Sequence, residues 1–289
     1  MKNLIDLHSH SHNSVDAKYP TETMINAAIK KGISIYAITD HCEMNRYYSD
    51  AHYGVKQSDY EYETFDNAAD FEKSMKENTA CKLKLREENA NLKFLSGIEL
   101  GQATFDFGLS ESLIADKRLD FVIASIHQLK NRDDFAFIKY NKYNDEQLFS
   151  LCEEYFEEIK KLCAWGKFDV LGHLTYILRY MEGNAGRTIN ISLFYQVIRE
   201  CFKLIIHSGK GIEVNTSGLR QKKFGKTFPD FNILHIYHEM GGEILTIGSD
   251  SHTPEDVGAG IPEALEMIKE IGFKWLCYYE NREPHFIGV

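Results

Sequence analysis

The run Asp6-Leu7-His8-Ser9-His10-Ser11-His12 places two histidines at alternate positions where a short apolar segment ends. Residues 3–8 have the composition of a buried strand bounded by polar sequence. Successive side chains of a strand point to opposite faces, so His8 and His10 would share one face. Imidazole nitrogens bind zinc, iron, manganese or nickel. The run therefore predicts half of a metal site at the end of a first strand.

Length and charge limit the class of protein. The chain has 289 residues and a formal net charge of −10, and α/β barrels of this length are commonly one domain. We expect a single domain over residues 1–289. The negative charge disfavours nucleic acid partners. No apolar run approaches the roughly 18 residues of a membrane span, no signal peptide is evident, and the six cysteines form no CxxC pair. We expect a soluble cytoplasmic protein without membrane partners.

Apolar strand segments alternate with helical segments along the chain. Seven strands are predicted, at residues 3–8, 33–39, 92–100, 119–126, 168–172, 212–215 and 244–249. Helices are predicted at residues 21–31, 66–91, 145–165, 189–208, 229–240 and 262–271, and residues 275–279 form a last short strand or a tail. Buried strands that alternate with helices indicate a parallel sheet.

Residues 43–92 interrupt this alternation with a long polar segment. Long insertions at the end of a barrel strand are usually lids or substrate loops. A plain surface excursion is the alternative. We expect a lid-like insertion.

A closed barrel and an open doubly wound sheet are the two architectures compatible with the pattern. The first strand is not followed by a glycine-rich phosphate-binding motif, and metal-ligand residue types end nearly every strand. A closed barrel brings the carboxyl ends of all its strands to one face, whereas an open sheet does not. We therefore predict an α/β fold, a seven-stranded TIM-like (β/α)7 barrel with a metal site at that face.

Nine side chains near the predicted strand ends have metal-binding chemistry. They are His8, His10, Asp16, His41, Glu99, His127, His173, Asp250 and His252. Nine nitrogen and oxygen donors are too many for one ion and suit two or three divalent metal ions, with zinc, iron and manganese all acceptable. Glu99 is the natural bridge between two of them. Two metal ions about 3.5–4 Å apart clamp the oxygens of a phosphoryl displacement.

The chain contains an ordered set of motifs. They are HxH at 8–10, TDH at 39–41, GIE at 97–99, His127, GH at 172–173 and GSDSH at 248–252. In this set the chain resembles the polymerase and histidinol phosphatase (PHP) family. The resemblance implies a distorted seven-stranded barrel with three metal ions. It also implies three ligand groups: His8, His10, Glu99 and Asp250; then Glu99, His127 and His173; then Asp16, His41 and His252.

Within that family, the chain length, the run at 213–220 and the insertion after His41 are similar to the branch that acts in histidine biosynthesis. The resemblance implies a phosphomonoesterase that hydrolyses L-histidinol phosphate, a small-molecule partner. A hydroxide that bridges two metals, held by Glu99 and Asp250, would be the nucleophile, because bound metal lowers the pKa of water from about 15.7 to near 7.

Substrate contacts are predicted from residue type. Arg220 and Arg179 are candidates for the phosphate, because guanidinium binds phosphate through two parallel hydrogen bonds. Asn215, at the end of the sixth strand, is a further candidate. The substrate's imidazole and ammonium groups suit an acidic or aromatic pocket, for which Glu43, Tyr47 and Tyr48 are available.

Other functions remain open at this point. The same fold could serve a phosphoesterase or exonuclease on nucleotides or nucleic acid, a non-catalytic metal-binding module, or a hydrolase of C–N bonds. The negative charge disfavours nucleic acid, and the complete set of nine candidate ligands disfavours a non-catalytic module. The sequence is compatible with a monomer or a homodimer.

Overall fold

The computed structural model of the protein describes residues 4–44 and 67–289. Seven parallel strands follow one another around a nearly closed barrel in the order in which they occur in the chain. They are β1 (Ile5–Asp6), β2 (Ile35–Glu43), β3 (Lys93–Gly101), β4 (Phe121–Ser125), β5 (Val170–Leu171), β6 (Gly211–Asn215) and β7 (Leu245–Gly248). The predicted seven-stranded barrel is confirmed.

The barrel closes between β1 and β7, beyond the short paired part of β1. The amide of Leu7 donates to the carbonyl of Ile247 over 3.0 Å, and the amide of Asp250 donates to the carbonyl of His8 over 2.7 Å. Ser9 and Ser251 form a parallel bridge. Closure therefore places the HxH run beside the segment that follows β7.

Eight α-helices occur within residues 4–44 and 67–289. They are α1 (Thr21–Lys30), α2 (Asn67–Glu87), α3 (Phe107–Ile114), α4 (Asp145–Trp165), α5 (Tyr176–Leu178), α6 (Tyr195–His207), α7 (Phe231–Glu239) and α8 (Ile261–Ile271). The side chain of Asn144 caps the start of α4, and Gly166, with φ of +61°, ends it. Both are expected signals, because a short polar side chain satisfies the first amides and glycine tolerates the left-handed conformation.

The strands are buried on both faces, as the apolar runs predict. Every residue of β4, β6 and β7 is buried. Phe121, Ile123 and Ile247 are at most 1% exposed, and burial of each such side chain stabilises the fold by about 1.5–3 kcal/mol. This rigid interior supports the polar side chains at the carboxyl ends of the strands.

Three features differ from the sequence-based expectation. β2 continues through Glu43 rather than ending at Thr39. Helix α3 was not predicted, although Asp106 caps it by accepting from the amide of Leu109 over 3.0 Å. The segment after α8 forms a separate antiparallel hairpin of β8 (Trp275–Glu280) and β9 (Glu283–Gly288). Periodicity is a weak guide for such short elements.

Part of the predicted insertion lies outside the described residues, including Tyr47 and Tyr48, so its lid-like role stays a prediction. The described part contains α2, which contacts β2 and the loop that follows β1. Ser74 donates to Asp40 Oδ2 over 2.6 Å, and Glu77 Oε2 accepts from Asn13 over 2.7 Å. Of the helices described, none is both long enough and apolar enough to cross a membrane.

Candidate metal centre

Glu99 lies inside the barrel near the carboxyl end of β3, and its side chain is almost fully buried. Its Oε2 atom is 3.2 Å from His8 Nε2 and 3.5 Å from His10 Nε2. Asp250 Oδ1 lies 3.3 Å from His10 Nε2 and 3.8 Å from His8 Nε2. Donors at about 2.1 Å from one tetrahedral ion are about 3.4 Å apart. These four side chains, the first donor group, have the spacing of ligands around one divalent ion.

The second carboxylate oxygen of Glu99 belongs to a second donor group. Glu99 Oε1 is 3.0 Å from His127 Nε2 and 2.6 Å from His173 Nε2. The two imidazole nitrogens are 3.3 Å apart. His127 follows β4 and His173 follows β5. Glu99 Oε2 also lies 3.1 Å from His41 Nδ1. Because the two oxygens of Glu99 face different sets of histidines, this carboxylate is placed to bridge two ions.

Asp16, His41 and His252 form a third donor group on the more exposed side of the site. Asp16 Oδ2 is 3.0 Å from His252 Nε2 and 3.6 Å from His41 Nε2. The ring of His10 stacks between the rings of His41 and His252, with centroid distances of 4.3 and 4.2 Å. The structure therefore brings all nine predicted ligands together, and their division into three metal groups stays a prediction.

The donors in these groups fit divalent metal ions. His10 Nε2 and His252 Nε2 are buried, and neither has a hydrogen-bond partner in the described parts of the chain. Carboxylate oxygens lie close to both nitrogens, but the angles are not those of hydrogen bonds. A buried unsatisfied nitrogen is costly unless another group, such as a metal ion, occupies its lone pair. Burial, reinforced by His252 and His41, lowers the pKa of His10 to about 3, which keeps the ring in its metal-binding neutral form.

Hydrogen bonds on the far side of the rings fix their orientation. Glu213 Oε1 is 2.6 Å from His8 Nδ1, and the hydroxyl of Ser14 is 3.1 Å from His10 Nδ1. Ser14 in turn donates to Asp40 Oδ1 over 3.0 Å. Such partners orient metal-binding histidines and typically change metal affinity by about 10–100-fold. Glu213 and Asp40 were not among the predicted site residues, although period two on β6 places Glu213 on the inner face.

The PHP domain family matches residues 6–217, most of the chain. This chain belongs to the PHP family. The expectation drawn from the motifs is thereby confirmed.

Curated relatives of this PHP protein cover nearly all of its length. A probable histidinol-phosphatase of Thermotoga maritima is 28% identical over 95% of both chains. A probable histidinol-phosphatase of Clostridium acetobutylicum is 29% identical over 96% of this chain and 98% of the relative. A crystal structure of histidinol phosphate phosphatase from Lactococcus lactis, complexed with zinc, L-histidinol and phosphate, has a TM-score of 0.76. It is 20% identical over 98% of this chain and 99% of that one, and supports the shared fold.

The two arginines predicted to bind phosphate lie in different surroundings in the PHP barrel. Arg179 follows α5, and its Nη1 atom is 3.6 Å from Asp250 Oδ2 at the edge of the first donor group. Its Nε atom has no hydrogen-bond partner among residues 4–44 and 67–289. Arg220 instead donates to the carbonyls of Ser249 and Asp250, over 2.7 and 3.0 Å. Arg220 therefore holds the turn that carries Asp250, and its contact with phosphate stays a prediction.

Asn215 is fully buried beneath the site, and the prediction that it contacts substrate needs correction. Its Oδ1 accepts from the amide of Ser217 over 3.0 Å and from the hydroxyl of Ser217 over 2.6 Å. Its Nδ2 donates to Glu213 over 3.4 Å. Since period two places Glu213 and Asn215 on the same inner face of β6, the amide supports the carboxylate that orients His8.

Glu43 also differs from its predicted place in a substrate loop. Because β2 extends to this residue, Glu43 lies two positions after His41 and points inward on the same face. Burial alone raises the pKa of Glu43, but His127 and His41 lower it to about 2. The group is therefore an ionised carboxylate, 4% exposed, enclosed by imidazoles rather than open to substrate.

An aromatic wall beside the second donor group was not anticipated. The ring centroid of Tyr176 is 4.8 Å from that of His127 and 4.9 Å from that of His173. The hydroxyls of Tyr176 and Tyr180 are hydrogen-bonded over 2.9 Å. Both residues lie on α5 or on the π-helical turn that continues it, Arg179–Asn184. A helix this short leaves no periodic signal in sequence.

Proposed function

We propose that this protein is a metal-dependent phosphomonoesterase that hydrolyses L-histidinol phosphate to L-histidinol and inorganic phosphate. The observation that carries the proposal is the convergence of nine donor side chains in three groups at one end of the barrel. The names of the curated relatives support the choice of substrate. A chain with this reaction serves histidine biosynthesis.

The nine donors would hold two or three divalent ions, zinc, iron or manganese. Such ions polarise phosphoryl oxygens and lower the pKa of water to about 7. Glu99 holds its two oxygens toward separate donor groups, and Asp250 completes the first group. Because Glu213 and Ser14 fix the rings of His8 and His10, these donors need no reorganisation during the reaction.

Arg179 is the proposed phosphate ligand. Its guanidinium lies beside Asp250 and is partly exposed, so it can approach a substrate held over the first donor group. Two charge-assisted hydrogen bonds from this group would offset the charge that develops on the phosphoryl oxygens. The wall of Tyr176 and Tyr180 offers an aromatic surface for the substrate's imidazole.

The test measures phosphate release by the purified protein from L-histidinol phosphate, several nucleoside monophosphates and a short single-stranded DNA. Each reaction is run with and without a chelator. The expected result is release from L-histidinol phosphate that the chelator abolishes and added metal restores. The Glu99→Gln variant is the control for contaminating phosphatases, because it keeps the side-chain shape. Equal release by this variant, or preference for nucleotides or DNA, would contradict the proposal.

The proposed compartment is the cytoplasm. All six cysteines are free, and five of them are buried, which suits a reducing environment. The proposed partner is the small phosphate ester alone.

A further inference from the structure

The carboxylate of Glu43 contacts two histidines that belong to different donor groups. Glu43 Oε1 is 3.0 Å from His41 Nδ1 and 3.0 Å from His127 Nδ1. The opposite nitrogen of His41 belongs to the third group, with Asp16. The opposite nitrogen of His127 belongs to the second group, with Glu99. One oxygen atom therefore lies against the rear of two rings that face separate groups, although His41 Nδ1 is also 3.1 Å from Glu99 Oε2.

The neighbouring strand provides the space for this carboxylate. Glu43 on β2 is paired in register with Gly101 on β3. A Cβ atom at Gly101 would lie 2.0 Å from Glu43 Oε2 and 2.5 Å from Glu43 Oε1. The φ of Gly101 is outside the left-handed region, so space rather than backbone conformation requires glycine here. The absence of a side chain at position 101 thus sets where the Glu43 carboxylate lies.

Direct contact with substrate, or pairing with a cationic side chain, fits the position of Glu43 less well. The side chain is 4% exposed, which excludes direct contact with a substrate that enters from solvent. Within residues 4–44 and 67–289, Glu43 Oε2 has no hydrogen-bond partner, and no lysine or arginine forms an ion pair with this carboxylate. Its polar contacts in this part of the chain are with the two imidazoles. Glu43 Oε1 is hydrogen-bonded to His127 Nδ1 over 3.0 Å, whereas His41 Nδ1 lies at ion-pair distance and has no hydrogen-bond partner among the described residues. A carboxylate that contacts the rear nitrogen of a histidine ring influences which ring nitrogen is available to a metal ion.

We propose that Glu43 is a positioning residue shared by the second and third donor groups, and that it couples metal binding in both. The inference rests on the metal-dependent function proposed above. Without the carboxylate, the rings of His41 and His127 lose the group that contacts both of their Nδ1 atoms, and affinity falls in both groups by about 10–100-fold. The first group keeps its affinity, because the rings of His8 and His10 are oriented by Glu213 and Ser14.

Two variants disturb this contact in independent ways. Glu43→Gln keeps the side-chain shape and removes the charge. Gly101→Ala keeps Glu43 and displaces its carboxylate. Asp16→Asn is the matched control, because it alters the third group alone. Each protein is loaded with zinc, dialysed against increasing chelator and assayed for metal per chain by mass spectrometry, with circular dichroism to verify folding.

The expected result is that Glu43→Gln and Gly101→Ala release the metals of the second and third groups at about 10–100-fold lower chelator concentration than wild type. Asp16→Asn releases one metal early. If both test variants release their metals at the same chelator concentration as wild type, the inference is overturned. Early release of a single metal by these variants also overturns it. If Gly101→Ala does not fold, Glu43→Gln alone decides. Absence of phosphatase activity in a wild type that binds metal would overturn the proposed function, while the metal release still tests Glu43.

Discussion

Replacement of Arg220 by alanine is expected to weaken metal binding through Asp250 rather than substrate binding. The guanidinium donates to the carbonyls of Ser249 and Asp250. Asp250 has φ of +54°, a left-handed conformation that costs a non-glycine residue about 1–2 kcal/mol. The two hydrogen bonds offset this cost and hold the Asp250 carboxylate toward His8 and His10.

The expected loss of stability in the alanine variant can be worked out from these two hydrogen bonds. Hydrogen bonds from a charged donor contribute about 1.5–3 kcal/mol each. The side chain of Arg220 is 24% exposed, so water replaces part of what is lost and the lower value applies. Two bonds then give about 3 kcal/mol, which at about 2 °C per kcal/mol lowers Tm by about 6 °C. Any part of this energy transmitted to Asp250 lowers metal affinity tenfold per about 1.4 kcal/mol.

The assay combines calorimetric Tm, metal content after dialysis, and steady-state kinetics with added metal. Arg220→Lys is the companion variant, because it keeps the charge but not the paired donors. We expect both variants to lose stability and metal, and excess metal to restore much of the activity. An unchanged Tm and metal content, with a raised KM, would refute this reasoning and support the phosphate contact predicted from sequence.

Three further predictions concern the same centre. Glu99→Gln should lose metal from two donor groups and lower kcat by about 10³-fold, since several kcal/mol of charge stabilisation is removed; normal metal content would contradict the bridging role. Arg179→Ala should keep its metal and raise KM for the phosphate ester by about 10–100-fold, from the loss of about 1.5–3 kcal/mol; unchanged kinetics would remove it from the site. In the metal-free protein, burial alone lowers the pKa of His127, but Glu43 and Glu99 raise it to about 10. The folded state then binds the His127 proton more tightly than the unfolded state does. Protonated His127 therefore stabilises the fold below about pH 6.5, and this stabilisation is lost as pH rises toward 10. Urea unfolding of the chelated protein at several pH values measures it, and a flat profile would contradict the prediction.

The barrel and the identity of the candidate ligands could be predicted from sequence for a physical reason. Buried parallel strands are apolar throughout and end in polar residues. The transition from apolar Ile123 to polar His127 therefore marks both the strand and its end. Closure then requires the strand ends to meet. His8 and Asp250, distant in the chain, are adjacent for that reason alone.

The roles of individual side chains were harder to predict. Where β2 ends decides whether Glu43 points inward or lies in a loop, and strand bounds are uncertain by a few residues. Arg220 and Arg179 lie in connections between elements, where residue type says little about direction. The bonds of Arg220 to two carbonyls depend on the turn at Asp250, whose left-handed conformation has no marker in the sequence.

The bridge between Ser9 and Ser251 also has a consequence for the synthesis and folding of the chain itself. Translation proceeds at about 5–20 residues per second, so His8 and His10 leave the ribosome roughly 10–50 s before Asp250 and His252 are made. The early histidines spend that interval without their later partners, and pairing of such distant segments is slow in any case. Metal ions that bind only the folded state then stabilise the closed barrel by mass action. The complete set of nine donors can therefore form only after Asp250 and His252 have been made.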